Sequence, residues 1–231
     1  MENTKKIIII PITQTITVGY KAEPVYTFDE LPGNVQQSLI DNFDCETLES
    51  DFFDVDIDFI VDDLIDAIYE KYKLPVTRIP WDLSYRQGSG ATFVTDAITG
   101  DELKEFIKTT FPTFAKSFRW PYLFDYFCDS GQIEFREDNR YQGFNHVWYS
   151  FDFDLDGYPN IDNFLNNKVD EFEENLNNFA SDLSGDIYKK LERAYAGATS
   201  DEAVMYELQE HYYNSDGFIM DEFVKEVSAD V

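Results

Sequence analysis

Between Asp51 and Glu70 the chain reads DFFDVDIDFIVDDLIDAIYE. Ile57, Ile60, Val61, Leu64, Ile65 and Ile68 recur at the spacing of one helical face. The positions between them are largely aspartate. Such a pattern has one stable solution, an amphipathic helix with its apolar stripe inward and its carboxylates in water. Leu74-Pro75 then predicts the end of the helix, because proline disfavours helical backbone at the residue before it. Asp51, Asp54, Asp58 and Asp62 follow i, i+3, i+4 spacing and share one face of a continuous helix, with Asp63 and Asp66 beside them. Like charges so spaced destabilise a helix by about 0.2–0.5 kcal/mol per pair.

The acid is concentrated here. From Ala22 through Glu70 there are 15 Asp and Glu and no Lys or Arg. Over all 231 residues, 46 acids face 18 bases, a formal net charge of −28. That field repels nucleic acid and anionic membranes and attracts basic protein surfaces. The chain is nevertheless 17% aromatic, with 21 Phe and 15 Tyr, so it has ample material for a core and is read as globular rather than disordered.

Periodicity changes along the chain. KIIIIPITQTITVGY (Lys6–Tyr20) is β-branched and predicts strand. Its apolar run is four isoleucines before Pro11, too short for a secretory leader. Thr27 and Glu30 have capping-box spacing. WDLSYRQGSGATFVTD predicts a β-hairpin turning at Gly88 and Gly90, with Trp81, Tyr85 and Phe93 on its core side. GDELKEFIKTTF predicts a helix, and QIEFRED with NHVWYSFDFDLDG predicts two further strands. From Asn160 onward the pattern is helical, with a capping box at Thr199 and Glu202 and a possible last helix in GFIMDEFVKEV. The expected fold is one α+β domain over 1–231, a mainly antiparallel sheet of about four to six strands with helices packed on it. Its parts are an acidic helical segment 34–73, a sheet region 74–156 and a C-terminal helical region 160–228. No apolar run is long enough to span a bilayer. Cys45 and Cys128, without C-x-x-C spacing, read as reduced buried thiols.

Three residue groups could carry function. The first is the aspartate set Asp51, Asp54, Asp58, Asp62, Asp63 and Asp66, as a face for a basic protein partner; its bland alternative is a solvated face. The second is Arg86, Gln87, Arg136, Arg140 and His146, polar groups on or beside strands; internal salt bridging is the alternative. The third is Asp152, Asp154 and Asp156, which with Gly157 match the opening of a calcium loop. Position 12 of that loop is Asn163, which offers no bidentate carboxylate, and strand alternation accounts for all three acids. No G-x-S-x-G, phosphate loop or H-E-x-x-H occurs, so no enzyme and no cofactor is expected.

Four stretches in order, YTFDELPGNVQQSLID, WDLSYRQGSGATF, REDNRYQGFNHVWYSFDF and IYKKLERAYAGATSDEAVMYELQEHYYNSDG, resemble a family of uncharacterised tailed-phage proteins, some labelled antitoxin-like. The likeness covers most of residues 26–217, and the T-S-D-E-A-V block at Thr199–Val204 is its most specific part. The turn departs from the pattern at Ser89, where an acid is usual, and at Arg86, where serine is usual. The resemblance implies a phage accessory protein in the host cytoplasm, or carried in the virion, and brings no reaction with it. Combined with the charge, it leads to the expectation of a non-enzymatic inhibitor of a host protein, acting by nucleic-acid mimicry or antitoxin-like sequestration. A calcium- or ligand-binding module at 152–163 and a virion structural or cargo protein are the alternatives.

Overall fold

The computed structural model describes residues 24–83, 90–137, 145–155 and 158–221. The side chains of Asn145 and His146 are not among what is described. The predicted strand at 6–20 lies outside these residues. Of the last predicted helix, GFIMDEFVKEV, Gly217–Met220 are not helical, Ile219 bridging to Tyr213, and the part beyond Asp221 lies outside the described residues. The fold is α+β, as the periodicity predicts, with small antiparallel sheets. Helices dominate, at 64% of the structure, so the sheet is a smaller part than expected. The chain divides into two compact units: Glu46–Ala198, and Met1–Cys45 together with Thr199–Val231.

In the Glu46–Ala198 unit, helical backbone runs from Glu46 to Tyr72. It is α-helical over Glu46–Asp51, π-helical over Phe52–Asp56 and α-helical again over Ile57–Tyr72. All six apolar residues of the predicted stripe are buried or half-buried. The helix stops at Lys73, in the left-handed conformation with φ 56° and its N–H donating to the Tyr69 carbonyl. Pro75 follows and prevents continuation.

The predicted hairpin closes as a broken ladder. Trp81–Asp82 pairs with Gly90–Ala91, and Val76–Arg78 pairs with Val94–Thr95. Phe93 is fully buried and Trp81 half-buried; Tyr85 lies outside the described residues. A three-stranded antiparallel sheet then orders Ile98–Thr99, Gly131–Glu137 and Asn145–Phe151, the middle strand central. Between its first two strands the chain inserts three helices, Gly100–Thr110, Pro112–Ser117 and Pro121–Asp129, so the region 74–156 is not purely sheet. The Thr95 hydroxyl accepts from the Phe135 N–H, tying the broken ladder to the sheet.

Pro159–Ala198 is a single helix of 40 residues, about 60 Å at 1.5 Å per residue. It passes through Ser184-Gly185 without a break. Its fully buried Phe172 meets Phe111, Phe114, Phe127 and Phe151, with ring centroids 5.2–6.1 Å apart. Two turns on, Phe179 meets Tyr72, Phe93, Phe106, Phe111 and Phe135. The aromatic content of the sequence is thus largely the core of this unit.

The other unit pairs Tyr26–Thr27 with Tyr212–Tyr213 and holds the helices Gly33–Asp41 and Asp201–Gln209. Phe28, Leu31, Val204, Leu208 and Tyr213 are buried. The predicted capping box forms on a 3-10 turn, Phe28–Glu30, where the Glu30 carboxylate accepts from the Thr27 N–H. At the Asp201 helix the cap is Ser200, whose hydroxyl accepts from the Ala203 N–H, so the boundary sits one residue later than Thr199. His211 follows that helix, and its Nδ1 lies 2.5 Å from Asp221 Oδ2.

Candidate functional site

The acidic helix presents its aspartates as the sequence requires. Asp51, Asp54, Asp58, Asp62, Asp63 and Asp66 are all exposed. Among the described residues none of the six is in an ion pair. Asp54 accepts from the Ser50 hydroxyl at 3.1 Å. The π segment modifies the predicted alignment. Its hydrogen bonds span five residues rather than four, so strict i, i+4 spacing holds from Asp58 through Asp62 to Asp66, while Asp51 and Asp54 precede the offset. The wider turn also sends two neighbouring rings to one partner: Phe52 and Phe53 both contact Tyr195, at 5.5 and 5.6 Å. Phe53 stacks on Trp81 as well, and the Tyr195 hydroxyl donates to Glu49 at 2.8 Å, fixing the helix against the long helix.

Two apolar residues missed as site candidates stand among the acids. Phe59 is 69% exposed and Val55 is 52% exposed. Phe59 lies three, four and seven residues before Asp62, Asp63 and Asp66, on the same face. The signal was present: Phe59 falls outside the stripe Ile57, Ile60, Val61, Leu64. An aromatic ring in water amid carboxylates serves no solubility purpose.

Of the polar set on the strands, the described residues include only the side chain of Arg136. Arg86, Gln87 and Arg140 lie outside the described residues. Arg136 and His146 are opposite each other in the hairpin register. Arg136 is held by Glu134 at 2.5 Å and lies over the Trp148 ring at 5.0 Å. The same ion pair holds the Glu134 carboxyl below its ordinary range. Arg78 likewise holds Glu137 at 3.0 Å. These bases serve the sheet's own surface.

The calcium-loop candidates fit a strand that has just ended. Asn145–Phe151 enters the segment as strand, where such a loop has a helix. Asp152 and Asp154 are exposed, while Phe153 and Leu155 pack on the core; Asp156 lies outside the described residues. Asn163 sits within the long helix. Among the described residues no group of three or more His, Cys, Asp or Glu could hold a metal ion. Cys45 is half-buried and Cys128 buried, both free thiols, and burial pushes the Cys128 thiol up to about 12, making it a poor nucleophile.

No protein-family model, curated protein or solved structure matches this chain. No helix among the described residues is long and apolar enough to cross a membrane.

Proposed function

We propose that this is a non-enzymatic phage accessory protein that binds and inhibits a host protein through the exposed face of its acidic helix. The observation that carries the reading is Phe59, exposed at the centre of an aspartate array that has no ion pair among the described residues. Protein interfaces combine a desolvated apolar or aromatic centre with a polar rim. Phe59 and Val55 supply such a centre; Asp58, Asp62, Asp63 and Asp66 supply the rim. The complementary partner carries a basic surface with an apolar recess. A surface that normally holds the phosphates of nucleic acid meets the electrostatic half of that description. The order of phage-like motifs supports the phage assignment and an intracellular encounter.

Affinity capture from host lysate tests the proposal. The expected partner is retained at low salt and released at high salt, and it is lost with Asp58→Asn/Asp62→Asn/Asp66→Asn and with Phe59→Ser. Duplex DNA competes for it if the mimicry is of nucleic acid. Absence of any salt-sensitive partner that distinguishes these variants from the parent chain overturns the reading.

A further inference from the structure

A second charged feature has the opposite sign. The C-terminal part of the acidic helix and the C-terminal half of the long helix flank a cleft of ≈ 380 Å³. Leu64, Ile68, Leu183 and Ile187, buried residues, line its floor. Four cations line it too: Lys71 from one helix, and Lys189, Lys190 and Arg193 from the other. Asp186 is the one carboxylate in the lining. In a chain with 46 acids and 18 bases, a lining of four bases and one acid inverts the overall ratio.

Spacing puts Lys189, Lys190 and Arg193 on one face of the long helix. Lys189 with Arg193, and Lys190 with Arg193, are like charges at the separations that disfavour a helix. Asp186, three and four residues before Lys189 and Lys190, offsets part of this, one acid against three bases among the lining residues of that helix. Among the described residues none of the four cations has a carboxylate within ion-pair distance. Lys71 rests over the Tyr72 ring, 4.6 Å from its centroid. In the same unit, Arg78, Lys104, Arg136 and Lys168 each hold a carboxylate. The cleft therefore gathers four cations over an apolar floor, with Asp186 as the one carboxylate beside them.

We infer that this cleft binds a small organic phosphate of nucleotide size, with its phosphate held by Lys189, Lys190 and Arg193 and its body on the apolar floor. The volume falls within the range of small-molecule sites, roughly 300–1,000 Å³. Arg193 offers a fork that matches two phosphate oxygens, and the lysines offer point charges. The negative field of the rest of the chain does not forbid this. Exposed charges more than about 8 Å away are largely screened at physiological ionic strength, whereas the cleft cations act at contact. The site is separate from partner binding by the aspartate face and does not depend on it.

Equilibrium dialysis of the full chain at physiological ionic strength tests the inference, with adenosine and guanosine mono- and triphosphates and inorganic phosphate as probes. At least one nucleotide is expected to bind, and at least tenfold more tightly than inorganic phosphate, because the floor contributes. Arg193→Glu and Lys190→Glu are each expected to weaken it by about tenfold or more, an effect equal to losing one charge-assisted contact. Lys116→Gln, which removes an exposed cation of the same unit outside the cleft, leaves it unchanged. Thermal melts establish that each variant is folded; if a reversal unfolds the protein, Lys189→Gln/Lys190→Gln gives the same reading with less perturbation. No nucleotide bound at millimolar concentration overturns the inference. So does equal binding by the folded cleft variants, or an affinity for nucleotide no greater than for inorganic phosphate.

Discussion

The hairpin Gly131–Phe151 and the acidic helix Glu46–Tyr72 belong to one unit and both carry charge on their surfaces, yet they treat it in opposite ways. On the hairpin the charges of the described residues are answered nearby. Arg136 holds Glu134, Glu137 takes Arg78, and the Tyr149 hydroxyl donates to the Glu173 carboxylate of the long helix. On the acidic helix six aspartates lie exposed without an ion pair among the described residues. Partnering, rather than the presence of charge, separates residues that build the fold from residues left for something outside it. Substitutions on the hairpin should therefore reduce stability, and substitutions on the helix face should not.

The largest effect is expected inside the hairpin. Phe135 is fully buried and its ring meets Phe93 at 4.9 Å, with Phe106 and Phe179 just beyond. Phe135→Ala removes that packing and leaves a cavity, a loss of about 3–5 kcal/mol in chemical denaturation. Gly131→Ala comes next. A Cβ there falls 2.3 Å from the Phe151 ring, its own partner across the ladder, and 3.0 Å from the Phe127 carbonyl. The ring can shift only by disturbing its packing on Phe127 and Phe153, so a loss of about 1–3 kcal/mol is expected. Stability unchanged in both variants would remove the hairpin's structural role.

Tyr149→Phe sharpens the comparison through pH. The hydrogen bond to Glu173 is the main reason that the Tyr149 hydroxyl is raised from 10.0 to about 12. A proton held more tightly in the folded state gives stability that is complete below the unfolded value and declines as pH rises through the folded one. The parent chain should therefore lose stability between pH 10.0 and about 12 by more than Tyr149→Phe does. At neutral pH the variant should be weaker by about 1 kcal/mol, the worth of one such bond. Denaturation series at pH 9 and pH 11 compare the two; equal alkaline loss would show that the bond contributes nothing.

Much of this contrast was legible before any coordinates. The stripe from Ile57 to Ile68 requires a helix with its aspartates outward, and alternation from Val147 predicts a strand, which ends at Phe151 while the alternation of burial carries on to Leu155 with Asp152 and Asp154 in water. What escaped depended on distant contacts or on small local energies. Tyr26–Thr27 pairs with Tyr212–Tyr213 across most of the chain, and two-residue strands leave no periodic trace. Of the three-helix insertion Gly100–Asp129, the helix Gly100–Thr110 was legible from its pattern, whereas Pro112–Ser117 and Pro121–Asp129 are short aromatic helices whose apolar residues serve a core that periodicity does not locate. Gly185 weakens a helix by only about 1 kcal/mol relative to alanine, too little to interrupt one anchored by Leu183 and Ile187. Ser200 and Thr199 are both able to cap, and the backbone chose the later one. In the candidate site, the aspartates were identified from spacing, whereas Phe59 was passed over although its place off the stripe marks it as exposed. The π turn, which offsets Asp51 and Asp54 from the rest, answers the packing of Phe52 and Phe53 on Tyr195, a residue more than 140 positions away.

The smallest expected change has the opposite sign, which makes it the sharpest test of the comparison. Asp62 is four residues from both Asp58 and Asp66 in regular α-helix. Asp62→Asn removes two like-charge pairs, each worth about 0.2–0.5 kcal/mol, and changes intrinsic helix propensity little. The variant should be more stable than the parent by about 0.4–1 kcal/mol at low ionic strength. At 1 M salt the Debye length falls to about 3 Å, so the gain should shrink toward zero. Partner capture should weaken in the same variant, so stability and binding move in opposite directions. A loss of stability instead would mean that Asp62 is answered within the fold, as Glu134 is, and the distinction between the two surfaces would fail where the carboxylates are densest.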